Sequence, residues 1–278
     1  MTGSRRQPDG LPAPALRRVR RQGRSGTWNS DLSVPELAAI RSAGFTPAGQ
    51  VMGCAVYCIP WPGIAACATS GATRSTAIEL GPYGRALDEA RRLALRRMTW
   101  EAAELGGHGV VGVRLQVRPF DQAPDAVEFS AIGTAVRRDG AAPLAAPFLS
   151  ALDGQGLAKL LRAGLVPCGM AMGVAAVHVH TSERAELQMS RGDAEVQDFS
   201  RAATGVRSLA MRRLTQAALA VHADGCVGSD LRLDVWRVPC GLRPRHDHVL
   251  QFTAVATAVV RFERSGRPAP AFVVSLDG

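Results

Sequence analysis

The chain has 278 residues, 46% of them apolar and 21% charged, which is enough to bury two ordinary cores. Its formal charge of +9 is unevenly placed: Arg5, Arg6, Arg17, Arg18, Arg20, Arg21 and Arg24 stand against Asp9 alone before residue 29, so the remaining body is only mildly basic. No run of about 18 uncharged apolar residues exists to span a bilayer, and no apolar core follows the first arginines closely enough for a signal peptide, so a cytoplasmic protein without membrane attachment is expected.

Residues 1–29 are rich in Arg, Pro and Gly and poor in apolar side chains, and are expected to be disordered. Lys159 is the single lysine, so the arginine bias reads as genomic composition rather than a set of phosphate forks. Nucleic-acid or anionic-partner binding through residues 1–28 is the runner-up reading and is not favoured. Ser33 and Glu36 then form a capping box, Pro35 lies in the permissive first turn, and Gly44 stops a short helix. Phe45 to Ile59 turns to Val, Tyr, Cys and Ile with Gly49 and Gly53 inside, a strand carrying a bulge or a close backbone approach. Pro60 to Pro82 lacks periodicity and reads as a loop or lid. From Arg85 to Leu105 the stripe Leu87, Ala90, Ala94, Met98, Ala102, Leu105 predicts a long amphipathic helix, with Asp88 and Arg92 paired on its outer face. Two strands follow, over Gly109–Val117 and Val127–Arg137.

The order then recurs at an offset of about 120 residues, a domain-sized period rather than a solenoid repeat. "LAAIRSAGFTPAGQVMGCAVYCI" from Leu37 aligns with "LAKLLRAGLVPCGMAMGVAAVHV" from Leu157, and "EFSAIGTAV" with "QFTAVATAV". The second helix stripe is Ala203, Val206, Ala210, Leu214, Ala218, Val221, and its strands run over Cys226–Val235 and Val249–Arg261. The expected organisation is an arm at 1–29, a first domain at 30–140, a linker at 141–148, a second domain at 149–265 and a tail at 266–278. The fold class is α+β, each domain a long helix on a short antiparallel sheet preceded by a short helix. Val110-Val111 and Val259-Val260 are apolar on both faces, so such a sheet needs a partner surface beyond its own helix.

"ALDEARRLALRRMTWEAAELGGHGVVGVRLQV" followed by "AVEFSAIGTAV" resembles the YbjQ family, which carries a heavy-metal-binding label; the second copy, with "VHADGCVGS" and "ATAV", departs further. The resemblance implies two tandem dodecin-like β-α-β-β units that assemble into a homo-oligomeric ring, a pentamer being favoured. It brings no catalytic residues.

For a metal, Cys54 and Cys58 lie roughly 13 Å apart along a strand and cannot share an ion. His178 and His180 share one strand face about 6.6 Å apart, near enough for imidazoles to converge on a zinc- or copper-like ion. His178 aligns with Cys58, so the candidate metal set is His178 and His180 completed by Cys58 or by a symmetry mate; a polar strand rim is the competing reading. His246 and His248 have the same spacing, but Pro244 and nearby charges place them in a loop. His108 aligns with Asp224 in the helix-to-strand turn, where turn chemistry is expected. "GGHGVVG" follows a helix and opens a strand, the reverse of a phosphate-cradling order. Asp88, Glu101, Glu104, Asp193 and Asp198 read as solvated carboxylates, and the six cysteines as buried, reduced thiols. No enzyme is expected.

Overall fold

The structure, a computed structural model, describes residues 11–58, 77–120, 126–142, 144, 146–193, 195–239 and 246–262. Its elements are α1 (Ala13–Arg24), α2 (Val34–Ser42), β1 (Phe45–Cys58), β2 (Ala77–Glu79), α3 (Gly81–Glu104), β3 (Gly109–Pro119), β4 (Ala126–Arg138), β5 (Phe148–Leu149), α4 (Gly154–Arg162), β6 (Leu165–Val179), α5 (Glu183–Arg191), α6 (Gln197–Ala220), β7 (Gly225–Pro239) and β8 (His246–Arg261). They form a mixed α+β architecture with two four-stranded sheets, ordered β1-β4-β3-β5 and β2-β6-β8-β7.

Each long helix lies across a long hairpin because its apolar stripe has nowhere else to go. Leu87, Ala90, Ala94, Met98 and Ala102 of α3 are buried, as are Val206, Ala210, Leu214 and Ala218 of α6. Val221 sits at the helix end and is exposed, so the second stripe stops one position earlier than its periodicity suggests. Small residues bring helix and strand into backbone contact. A Cβ on Gly53 would lie 1.8 Å from the Ala94 carbonyl oxygen, and one on Gly173 would lie 2.0 Å from that of Ala210. Gly49 and Gly169 mark the β-bulges just before these contacts, where the register shifts after Pro47 and Pro167 and φ reaches +147° and +157°.

The two sheets do not close on their own strands. β2 precedes α3 in the chain yet pairs with β6, placing Ile78 opposite His178, and Leu80 N–H donates to Ala176 O at 2.9 Å. In the other direction, Phe148–Leu149 of β5 adds to β3 in parallel at Gly109–Val110. Between the sheets α3 serves both: Leu80, Tyr83, Leu87, Ala90 and Ala94 cluster with Ala55 and Phe129 on one side and with Val174, Ala176 and Val249 on the other. Farther along, Leu95 and Met98 meet Val51 together with Met172 and Val255. β6 and β8 of the second sheet are therefore buried on both faces while β7 stays largely exposed, and Tyr83 Oη donates to Gln251 Oε1 at 3.1 Å across that junction.

Several local expectations change. Residues 13–24 of the arm are helical, because Val19 is fully buried and Arg18 pairs with Glu101. Composition gives no sign of these two contacts, which oppose the ordering entropy of the segment. Glu101 itself is buried, not solvated, and also accepts the Met52 N–H at 2.8 Å, satisfying a backbone donor on the free edge of β1. α4 starts on Asp153, which accepts the Gly156 N–H at 2.6 Å. The Pro60–Pro82 segment ends in β2 and the first turn of α3; residues 59–76, and the tail beyond 262, lie outside the described residues. Of the thiols, Cys58 and Cys226 are exposed and Cys54 and Cys168 partly so, while Cys67 and Cys240 lie outside the described residues.

Gly53→Ala and Gly173→Ala each force a methyl into helix backbone and are expected to destabilise the chain by roughly 1–3 kcal/mol or more. Denaturant unfolding of each variant checks this, and an unchanged midpoint would remove the close approach as a structural requirement.

Candidate functional site

β6 ends on His178 and Val179, with His180 just beyond, while β8 begins at His246, and their pairing sets Val179 opposite His248 and His178 opposite Val249. Alternation then turns Asp247 to the same face as His178, and both side chains are only 1% exposed. A carboxylate only accepts, so the imidazoles donate: His178 Nε2–H to Asp247 Oδ2 at 3.2 Å, and His180 Nδ1–H to the same Oδ2 at 3.3 Å, with Oδ1 3.1 Å from that nitrogen. Thr181 N–H gives Asp247 Oδ1 a further bond at 3.1 Å. The buried charge of Asp247 is thus held by three donors from one strand end. Burial holds His178 below its ordinary pKa, although the Asp247 carboxylate pulls the other way.

The opposite face is different. His248 Nδ1 lies 3.1 Å from Thr181 Oγ1, and its ring stands edge-on to Phe199 of α6 with centroids 4.8 Å apart. Desolvation lowers its pKa as well, with Arg237 acting in the same sense. His246 to His248 therefore belong to β8, not to a loop as expected from Pro244, and the three consecutive side chains alternate between faces. The central role of Asp247 is absent from the sequence reading. The alternating pattern His246-Asp247-His248 opposite His178-Val179-His180 is the signal that could have found it.

The structure brings His178 and His180 together about Asp247 but leaves Cys58 apart: it is exposed at the end of β1 in the other sheet. Among the described residues no three His, Cys, Asp or Glu side chains converge to hold a metal ion. Two imidazoles bonded to one carboxylate form a hydrogen-bonded cluster, and this donor set does not by itself make a closed centre for a zinc-like ion. Cys54 is no better placed. Its Sγ bonds Glu128 Oε1 at 3.2 Å, and burial followed by that carboxylate pushes the thiol up to about 11, far from the thiolate a metal requires.

His108 and Asp224 perform the turn chemistry expected of them. Arg138 N–H donates to His108 Nδ1 at 3.2 Å while His108 Nε2–H donates to Ala142 O at 2.7 Å, and Arg261 N–H donates to Asp224 Oδ2 at 2.7 Å. Two different side chains satisfy the same backbone donor at the end of the last strand in each half. No helix among the described residues is long and apolar enough to cross a membrane.

Comparison with known proteins adds a family. Residues 48–139 match the model of YbjQ proteins described as "Putative heavy-metal-binding". An encapsulin nanocompartment protein of Mycobacterium tuberculosis is 32% identical over 259 residues, covering 90% of this chain and 92% of that one. A UPF0145 protein of Halalkalibacterium halodurans is 41% identical over 58 residues, which is 21% of this chain and 53% of that one.

His178 and His248 are both held below the ordinary histidine value near 6.5, so below that pH the unfolded chain binds protons that the folded chain refuses. Stability is expected to rise with pH between about 5 and 7 and to fall on acidification through that window, with a smaller slope in His178→Gln. Thermal unfolding across this range reads the effect; a flat or inverted dependence would contradict burial of the neutral rings.

Proposed function

Because the chain belongs to the YbjQ family, we propose that it is a non-enzymatic, self-assembling cytoplasmic protein built of two tandem YbjQ/dodecin-like units, whose role is architectural. The observation that carries this reading is strand exchange: the first half supplies β2 to the second sheet, and the second half supplies β5 to the first. Units that complete each other's sheets within a chain are units suited to doing so between chains. The name of the mycobacterial relative, a nanocompartment protein, supports the same direction. The resemblance implies a closed ring, with five copies favoured. Mass photometry at micromolar concentration is expected to give a discrete oligomer, and a monomer would contradict the proposal.

Metal binding is the second part of the proposal and rests on the family label. His178 and His180 would supply imidazole donors, with Cys58 or another ligand of a neighbouring chain completing the set, since the described residues of one chain do not close a centre. Elemental analysis of purified protein is expected to find stoichiometric transition metal that disappears in the His178→Ala, His180→Ala double variant. Metal-free protein would end this part of the reading while leaving the assembly intact.

A second reading, recruitment of nucleic acid or another anionic partner, is favoured by α1 alone, which buries Val19 while exposing Arg17, Arg20, Arg21 and Arg24. Deleting residues 1–28 separates the readings, because it would abolish nucleic-acid retention only if the arginines carry it.

A further inference from the structure

The junction between the two halves is built from parts that recur, uncovered, at the two ends of the chain. Four contacts make the internal junction. The outer side of α3 covers Met172, Val174 and Ala176 of β6; β2 extends the β6 edge; Arg213 donates to Val174 O at 2.7 Å and pairs with Glu79; and the Phe148 ring packs on Gly109, where a Cβ would fall 2.2 Å from it.

The repeat assigns a counterpart to every partner. On the first sheet Met52 is 44% exposed where its equivalent Met172 is 9% exposed, and Val56 is 46% exposed where Ala176 is fully buried. On the helices, Gly84 of α3 is buried against the second sheet and Arg91 is buried as well, whereas their equivalents Ser200 and Arg207 of α6 face solvent. Arg97 donates to Cys54 O just as Arg213 donates to Val174 O, and the residue equivalent to Glu79 is the exposed Glu195. The segment equivalent to Phe148–Leu149 is Trp28-Asn29, and the likeness continues into its bonds: Asp31 N–H donates to Thr134 Oγ1 at 3.1 Å as Ala151 N–H donates to Thr257 Oγ1 at 3.0 Å. Trp28 is 39% exposed. Its receptor by the same rule is Gly225, and among the described residues nothing lies within 4 Å of the place a Gly225 Cβ would take.

We propose that a second copy of this chain docks head to tail by repeating the internal junction: α6 of one copy covers Met52, Cys54 and Val56 of the next, Glu195 and Val196 extend the next β1 edge at Val56–Tyr57, and the next copy's Trp28 packs over Gly225 of the first. This rests on the assembly reading above and specifies its interface. Charge favours the pairing. Sheet one carries Glu128 where sheet two carries the neutral Gln251, and the helix face it receives carries Arg207; Glu195 meets Arg97 as Glu79 meets Arg213. The contact is heterologous, joining different surfaces on the two copies, so it propagates until a rotation closes the ring. Each chain then fills two adjacent places, which sets an even number of units in any closed ring made of whole chains.

Complementary blocking tests it. One variant carries Gly225→Leu and Arg207→Glu, which obstruct only the α6 end; the other carries Trp28→Ala and Val56→Asp, which obstruct only the first-sheet end. All four positions except Trp28 are free of packing that the single chain needs, and each variant retains one intact docking surface. Mass photometry is expected to show wild-type oligomers, single chains for each variant alone, and dimers with nothing larger in the equimolar mixture; dimer formation also certifies that both variants fold. Variants that assemble like wild type would overturn this interface and indicate that another segment of the same chain covers these surfaces. A mixture that stays monomeric beside an assembling wild type would overturn it too. A monomeric wild type would instead overturn the assembly reading itself.

Discussion

Everything in this molecule depends on sheets too narrow to bury what they carry. A hairpin with small and β-branched side chains on both faces can be covered on one side by its own helix, but the other side stays apolar. In the second half that side is covered by α3, which is borrowed from the first half together with β2. Hydrophobic burial and strand completion therefore act at one place, and the helix that forms the core of one half is simultaneously the roof of the other. A consequence is that α3 and α6, similar in length and stripe, live in different surroundings. Arg91 shows the cost: on this shared helix it is 2% exposed, and desolvation draws its guanidinium down to about 10.

The close helix-to-strand approach makes this layering possible. With glycine at positions 53 and 173, the helix backbone rests directly on strand backbone, and alanines at 90, 94, 202, 210 and 218 keep the layer thin. Arg97 and Arg213 then reach from helix to strand carbonyls at Cys54 and Val174. Small residues set the distance and arginines fix the register, one pair in each half. The His178–Asp247–His180 group sits at the far rim of this arrangement, where β6 and β8 part. Its chemistry is that of a buried carboxylate satisfied by local donors.

How much of this was legible beforehand follows from which interactions are local. Capping at Ser33 and Glu36, the stripe of α3, the bulge glycines and the paired roles of His108 and Asp224 all depend on residues near one another in sequence or on direct comparison of the repeats, and each was readable. What was missed depends on long-range pairing. α1 orders because Val19 and Arg18 find a surface and Glu101 more than eighty residues away; β2 is too short to announce itself and exists by pairing with β6; Asp247 acquires its role only when β8 is laid beside His178. For the site, the histidine pair and its shared face were visible in the alternation of a strand, but the carboxylate between them was not, because Pro244 suggested a loop where β8 already runs. The separation of Cys58 reflects the same limit, since equivalent places in a repeat need not be neighbours in space.

The central claim is that neither half is a self-sufficient folding unit, because α3 packs into both cores and β2, just before it in the chain, completes the second sheet. Variants retaining one tryptophan, Trp100 in α3 or Trp236 in β7, report separately on the two halves during denaturant unfolding. Coincident transitions with one midpoint are the predicted result. Two separated transitions, with one half unfolding while the other keeps its native signal, would contradict the account.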